Sequence, residues 1–141
     1  MKFKYTKIRL PEPSSVLGSF LFKPIVPLVL AYQGRAIRYG ALIDSGADFC
    51  MIDGLIGEHL GINVRSGVKE KFGGVEEAAG AEAYFHAISM RIGNVETEVN
   101  VGFSYDIAHH GFGLLGQNGF FDRFAVTFDL LKDEIVLKKK R

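Results

Sequence analysis

Ala41-Leu42-Ile43-Asp44-Ser45-Gly46-Ala47-Asp48 brings an apolar run to a stop in a tight turn and sets one carboxylate at its end. Gly46 lacks a side chain, so the backbone turns sharply there and can approach a partner closely. Ser45 supplies a hydroxyl for a neighbouring backbone group, and Leu42 and Ile43 anchor the preceding strand, so Asp44 is expected to be a rigid, partly desolvated acid. Such an acid suits catalysis. Asp-Ser-Gly is also ordinary turn chemistry, because Asp and Ser bond nearby backbone and Gly supplies the angle. No second Asp-Ser-Gly or Asp-Thr-Gly occurs in the chain. Chemistry that needs two such carboxylates must therefore draw the second from another copy.

Outward from this stretch the pattern is one of short strands. Ile25 to Tyr32 and Ala36 to Ile43 are apolar runs divided by Gln33-Gly34, a hairpin feeding directly into Asp44. Tyr84 to Ile92 and Val95 to Phe103 flank Gly93-Asn94, a loop with the chemistry of a primed turn. In the second arm Val95, Thr97, Val99, Val101 and Phe103 alternate with polar residues and Gly102, the period of a half-buried strand. Phe124 to Phe128 and Glu134 to Lys138 form a further hairpin. Helical signals are short: Asp53 is placed to cap a helix from Gly54 to Leu60, with Leu55, Ile56 and Leu60 on its buried side and Gly61 ending it. A second short turn follows Gly116, through Asn118 to Arg123. Ser66 to Ala83, rich in Gly and charge, reads as a mobile hairpin.

Size and composition set the bounds. With 141 residues the chain suits one domain with its own core. A formal charge of +1 gives no whole-protein field toward nucleic acid or anionic membrane, and Lys138-Lys139-Lys140-Arg141 reads as a solvated end. No nucleic-acid or membrane partner is expected. The longest apolar run, Ile25 to Tyr32, has strand length and contains Pro27. A single cysteine, Cys50, excludes an intrachain disulfide and fits a reducing compartment, so a cytoplasmic location is expected. Its apolar neighbours make it a small core residue. His109-His110 occupy a polar loop, and His59 and His86 sit in separate elements, so no metal site is expected.

Leu42-Ile43-Asp44-Ser45-Gly46-Ala47-Asp48 resembles the active-site loop of retropepsin-like aspartic proteases. Downstream, Leu114-Leu115-Gly116 followed by Gln117-Asn118-Gly119-Phe120-Phe121 resembles the second signature of that family, two apolar residues and a glycine leading into a short helix. The order of elements fits over roughly residues 20 to 138. The resemblance implies a mainly β fold, a single-domain closed barrel with one or two short helices. It implies an aspartic endopeptidase without a cofactor, a homodimer in which Asp44 of each subunit is catalytic and Ser45 and Gly46 shape the loop. Ala47 and Asp48 would touch the substrate backbone. The segment from about Val68 to Ala81 would close over the peptide as a flap, with Gly73, Gly74 and Val75 contacting it. Two residues depart from the viral members. Ser45 stands where threonine is common, and Gln117 stands where an arginine usually pairs with the aspartate that is here Asp48. Asp48 then turns to Arg123, or to solvent; as a residue it reads equally as a substrate contact or as a structural acid of the loop. The alternative function is a dimeric peptide-binding or scaffold module that hydrolyses nothing.

Overall fold

The computed structural model describes residues 1–72 and 80–140. In chain order the strands are β1 (Lys2–Phe3), β2 (Thr6–Ser14), β3 (Gly18–Lys23), β4 (Ile25–Tyr32), β5 (Arg35–Ile43) and β6 (Met51–Asp53), followed by helix α1 (Gly54–His59). The remainder are β7 (Val68–Phe72), β8 (Ala81–Ile92), β9 (Val95–Ser104), β10 (Gly113–Leu115), β11 (Phe124–Asp129) and β12 (Glu134–Lys139). Two 3₁₀ turns, Val64–Ser66 and Tyr105–His110, complete the regular structure.

Six strands close into a barrel. Their order is β4, β5, β10, β6, β9 and β8, and β8 returns to β4 by pairing Ser89–Arg91 with Val29–Ala31. Closure removes the exposed edges that an open sheet of this size would carry. The turns that make it possible are those read from the sequence. Gln33 (φ 45°) and Gly34 (φ 82°) both take positive φ, the primed hairpin geometry that joins β4 to β5, and Gly93 (φ 57°) begins the turn from β8 to β9. The alternation along β9 is realised, with Val99, Val101 and Phe103 fully inside and Glu96, Glu98 and Asn100 outside. Burial of such side chains, at about 1.5–3 kcal/mol each, is what offsets the loss of chain entropy. A separate sheet of β1, β12 and β11 delivers Phe124, Ile135 and Leu137 to the same continuous hydrophobic cluster as the barrel.

One expectation changes and two features are added to those read from the sequence. The N-terminal segment forms a two-stranded sheet of its own, β2 with β3, whose tip leaves Val16 and Leu17 exposed. Helix α1 is capped as expected by Asp53, which accepts from the Leu55 N–H at 2.9 Å, but Leu55 is 51% exposed. The helix turns its glycines inward instead: a Cβ on Gly54 would lie 2.8 Å from the Tyr105 ring, and one on Gly57 would lie 2.8 Å from Phe103 and Val64. Close approach of the backbone replaces side-chain burial. After Gly116 the chain makes a series of turns and no regular helix, because Gly119 takes φ 104° and its N–H is drawn to the Asp122 carboxylate at 3.1 Å. Among the described residues no helix is long and apolar enough to cross a membrane.

Candidate active site

β10 lies between β5 and β6, parallel to the first and antiparallel to the second. The chain leaving β5 therefore has to cross the end of β10 before it can return as β6, and the crossing is made by residues 44–50. Asp44 sits at the start of that crossing. Its N–H extends the β5–β10 ladder by donating to the Leu115 carbonyl at 3.0 Å. Further along, the Gln117 N–H donates to the Ala47 carbonyl (2.8 Å) and the Asn118 N–H to the Asp48 carbonyl (2.9 Å), and Phe49 bridges Asn118. The two stretches that the sequence singled out thus run side by side.

Gly116 makes this contact possible. A Cβ there would stand 2.5 Å from the Phe49 carbonyl oxygen and 2.6 Å from that of Ala47, closer than side chains approach backbone oxygens. Within the turn, the Ala47 N–H closes on the Asp44 carbonyl at 3.1 Å, and the Gly46 N–H donates to Asp44 Oδ1 at 2.9 Å. That last bond fixes the carboxylate on the backbone that carries it. Oδ2 has no protein partner among the described residues. Asp44 is half-buried, while Ser45 and Gly46 are exposed.

Gln117 has a task of its own. Its Nε2 donates to the Ser45 carbonyl at 2.7 Å, so the side chain clasps the turn from outside while its own backbone holds Ala47. Arg123 does not meet Asp48. Its guanidinium is engaged by the Glu98 carbonyl and, at 3.8 Å, by Asp122, and no salt bridge to Asp48 forms among the described residues. The Asp48 side chain is exposed. The Ser45 hydroxyl holds no backbone group among the described residues; its carbonyl does the holding.

Cys50 ends the crossing fully buried, and burial pushes its thiol up to about 11, with a backbone hydrogen bond to Gly116 pulling the other way. A thiol so placed is inert as a nucleophile at neutral pH. Leu115 and Phe120 are core, whereas Leu114 is only half-buried. His109 and His110 are exposed, their rings 4.2 Å apart. The two arms of the expected flap are paired as β7 and β8, from Val68 against Phe85 to Phe72 against Ala81. Gly73, Gly74 and Val75 lie outside the described residues.

No protein-family model matches the chain, and no curated protein does. Among solved structures it is similar to the crystal structure of a retropepsin-like aspartic protease from Rickettsia conorii, with a TM-score of 0.60 over 96% of this chain and 95% of that one, at 16% identity. The chain has the retropepsin-like fold. An EIAV protease complexed with the inhibitor HBY-793 is a second similar structure, 14% identical over 67% of this chain and 82% of that one, with a TM-score of 0.46.

On this retropepsin-like barrel a cleft of about 560 Å³ opens beside the Asp44 loop. Phe49, Val68 and Phe85 supply its apolar side, and Asp48, Glu70, Asn100 and Asn118 its polar rim. Asp44 is not part of the lining, although it lies only four residues before Asp48. Of the cleft residues, sequence reasoning singled out Asp48 alone. Val68 entered only as the start of the expected flap, with Glu70 inside it and Asn118 inside the second signature, and nothing local marked Asn100 or Phe85 as their neighbours.

Proposed function

We propose that this chain is one half of a symmetric homodimeric aspartic endopeptidase, in which Asp44 from each of two subunits holds and activates the attacking water. The observation that carries the reading is the pinning of Asp44: its N–H is tied to Leu115, one carboxylate oxygen accepts from Gly46, and the other has no protein partner among the described residues. An acid fixed in that way is pre-organised to hold a water or a second carboxylate without further ordering. With a single such acid per chain, a two-fold axis is the simplest route to a pair. Two carboxylates placed that close cannot both ionise readily, so the pair holds one proton between them. One acts as general base toward water and the other as general acid toward the scissile carbonyl. The titration then belongs to the pair, and activity is expected to peak on the acidic side of neutral.

Ser45 and Gly46 shape the loop, Ala47 and Asp48 meet the substrate backbone, and the hairpin of β7 and β8 covers an extended peptide. That hairpin offers strand edges along which a peptide pairs by β-augmentation. The chemistry needs no cofactor. Gln117 is the observation that favours the second reading, a dimeric peptide-binding module, because it replaces a charged partner for Asp48. Its bond to Ser45 argues instead that the turn is maintained in working shape.

The test is incubation of the wild type and Asp44→Asn with a diverse peptide pool at several pH values. Cleavage by the wild type alone, strongest below neutral pH, is the expected result. Equal cleavage by both would remove Asp44 from the mechanism, binding without cleavage by the wild type would favour the module, and activity rising steadily to pH 9 would exclude a shared-proton pair.

A further inference from the structure

The cleft beside the loop has a lopsided composition. Phe49 and Phe85 meet edge to face with ring centroids 4.8 Å apart, and Phe72 closes on Phe49 from the β7 side at 6.0 Å. Gly102 leaves room for the pair, since a Cβ there would lie 3.2 Å from Phe85 and 3.3 Å from Phe49. Above this aromatic floor the lining carries two carboxylates, Asp48 and Glu70, and two amides, with no basic residue among them. Alternation along β7 explains the sorting: Val68 and Glu70 face the cleft, while Lys69 is drawn to Glu82 at 3.8 Å. Arg123, the nearest cation expected from sequence, is held by Glu98 and Asp122. Asp48 and Glu70 make no salt bridge among the described residues.

We propose that this cleft is the subsite for a lysine or arginine side chain of the peptide substrate, with Glu70 as the residue that sets the preference for positive charge. An aromatic floor under an acidic rim matches a side chain that has an apolar stem and a cationic head: the stem packs on Phe49 and Phe85, and the head reaches Glu70 and Asp48. A leucine would use the floor and leave the carboxylates idle. A glutamate would meet like charge. The position on the substrate is bounded by chain geometry, because four residues from Asp44 to Asp48 span at most about 14 Å. An extended peptide covers that distance in about four residues, so the basic side chain belongs within four positions of the cleaved bond. The inference rests on the peptidase reading for the bond that is cut, and on the cleft alone for the side chain that is held.

The experiment uses three peptide series identical except at one position within four residues of a cleavage site, where they carry lysine, norleucine or glutamate. Norleucine keeps the stem and removes the charge. Binding to the Asp44→Asn protein is read by fluorescence anisotropy, and cleavage by the wild type is read in parallel. At one position lysine is expected to bind about three- to tenfold tighter than norleucine, with glutamate weakest, as two solvent-exposed charge pairs allow. The ratio should shrink below about twofold in roughly 0.5 M salt. Glu70→Gln should remove most of it, Glu70→Lys should reverse the order of lysine and glutamate, and Glu12→Gln, on β2, should leave it unchanged. Norleucine equal to lysine at every position, or a ratio untouched by Glu70→Gln, would overturn the proposal. Cleavage by the wild type without any charge preference would sink the subsite and leave the peptidase standing. A lysine preference in binding with no cleavage anywhere would do the reverse.

Discussion

Gly116→Ala should loosen the loop that carries Asp44 while leaving the barrel folded. The added Cβ would fall 2.5 and 2.6 Å from the carbonyl oxygens of Phe49 and Ala47, and both are backbone atoms of a segment tied down at each end. To reach ordinary contact those carbonyls must retreat by about 0.8 Å, which stretches the Gln117 N–H bond to Ala47 beyond hydrogen-bonding range. Overpacking of this kind costs about 1–3 kcal/mol, and the lost bond about 1 kcal/mol more. Against this, replacing Gly by Ala lowers the entropy of the unfolded chain and returns about 0.4–1 kcal/mol. The net expectation is a loss of about 1–3.5 kcal/mol, which a domain with the usual 5–15 kcal/mol survives. Activity should suffer more than stability, because a displacement near 1 Å at a catalytic group can cost about a hundredfold in rate. The chain has no tryptophan, so urea unfolding is best followed by far-ultraviolet circular dichroism. Gly40→Ala is the control, since its Cβ would meet only the movable Ile25 side chain at 3.2 Å. A Gly116→Ala protein as stable as the Gly40→Ala protein, or one that keeps full peptidase activity, would refute the reasoning.

Gln117→Ala removes the clasp on Ser45 and should cost about 0.5–1 kcal/mol of stability. Gln117→Glu, which turns a carboxylate toward the same carbonyl, should lower peptidase activity further than alanine does, and equal rates for glutamate and glutamine would show that the clasp is idle. For Cys50 the sign follows from a thiol that ionises near 9 in the unfolded chain and at about 11 when buried. Its contribution is fully present below pH 9 and is lost as pH rises toward 11, a fall of about 2–3 kcal/mol in unfolding free energy. Urea titrations at pH 8 and pH 10.5 should show most of that fall, about 2 kcal/mol, in the wild type and a smaller one in Cys50→Ala, where Tyr39, raised by burial to about 12, still contributes. Equal falls in the two proteins would remove Cys50 as the cause. If the site needs Asp44 from two chains, an equilibrated equal mixture of wild type and Asp44→Asn should keep about a quarter of the activity of the same amount of wild type, and about half would mean that each chain works alone.

What the sequence disclosed and what it hid divide along a physical line. Hairpins built from adjacent residues were legible: Gln33-Gly34 and Gly93-Asn94 announce their turns through backbone angles that few other residues adopt, and the alternation from Val95 to Phe103 announces a half-buried strand. The N-terminal hairpin was not, because Pro11, Glu12 and Pro13 interrupt the pattern of β2, and its pairing with β3 is irregular between Arg9 and Ser14. Helix α1 misled in a different way. Its apolar residues suggested a buried Leu55, yet a helix that approaches Phe103 and Tyr105 through glycines can leave a leucine outside. Gln117 was read as a deficit, since its letter differs from an arginine. Its partner turns out to be a backbone carbonyl 72 residues away, and no side-chain pattern records a backbone acceptor.

That substitution bears on how the acid is held. An arginine at position 117 would carry a charge on a long, rotatable arm beside Asp48. The glutamine reaches only as far as the Ser45 carbonyl, so the bond falls one residue beyond Asp44 and leaves Asp48 exposed at the rim of the cleft. Among the described residues the loop is tied to the chain after β10 by neutral hydrogen bonds, at Leu115, Ala47, Asp48 and Ser45, each worth about 0.5–1.5 kcal/mol, while the bond to the Asp44 carboxylate lies within the turn itself. The Asp48 charge is left on the surface, at the rim of the cleft where the proposed basic side chain would meet it. Support of the loop and recognition of charge are separable in this chain, and substitution at Glu70 should move specificity without moving stability.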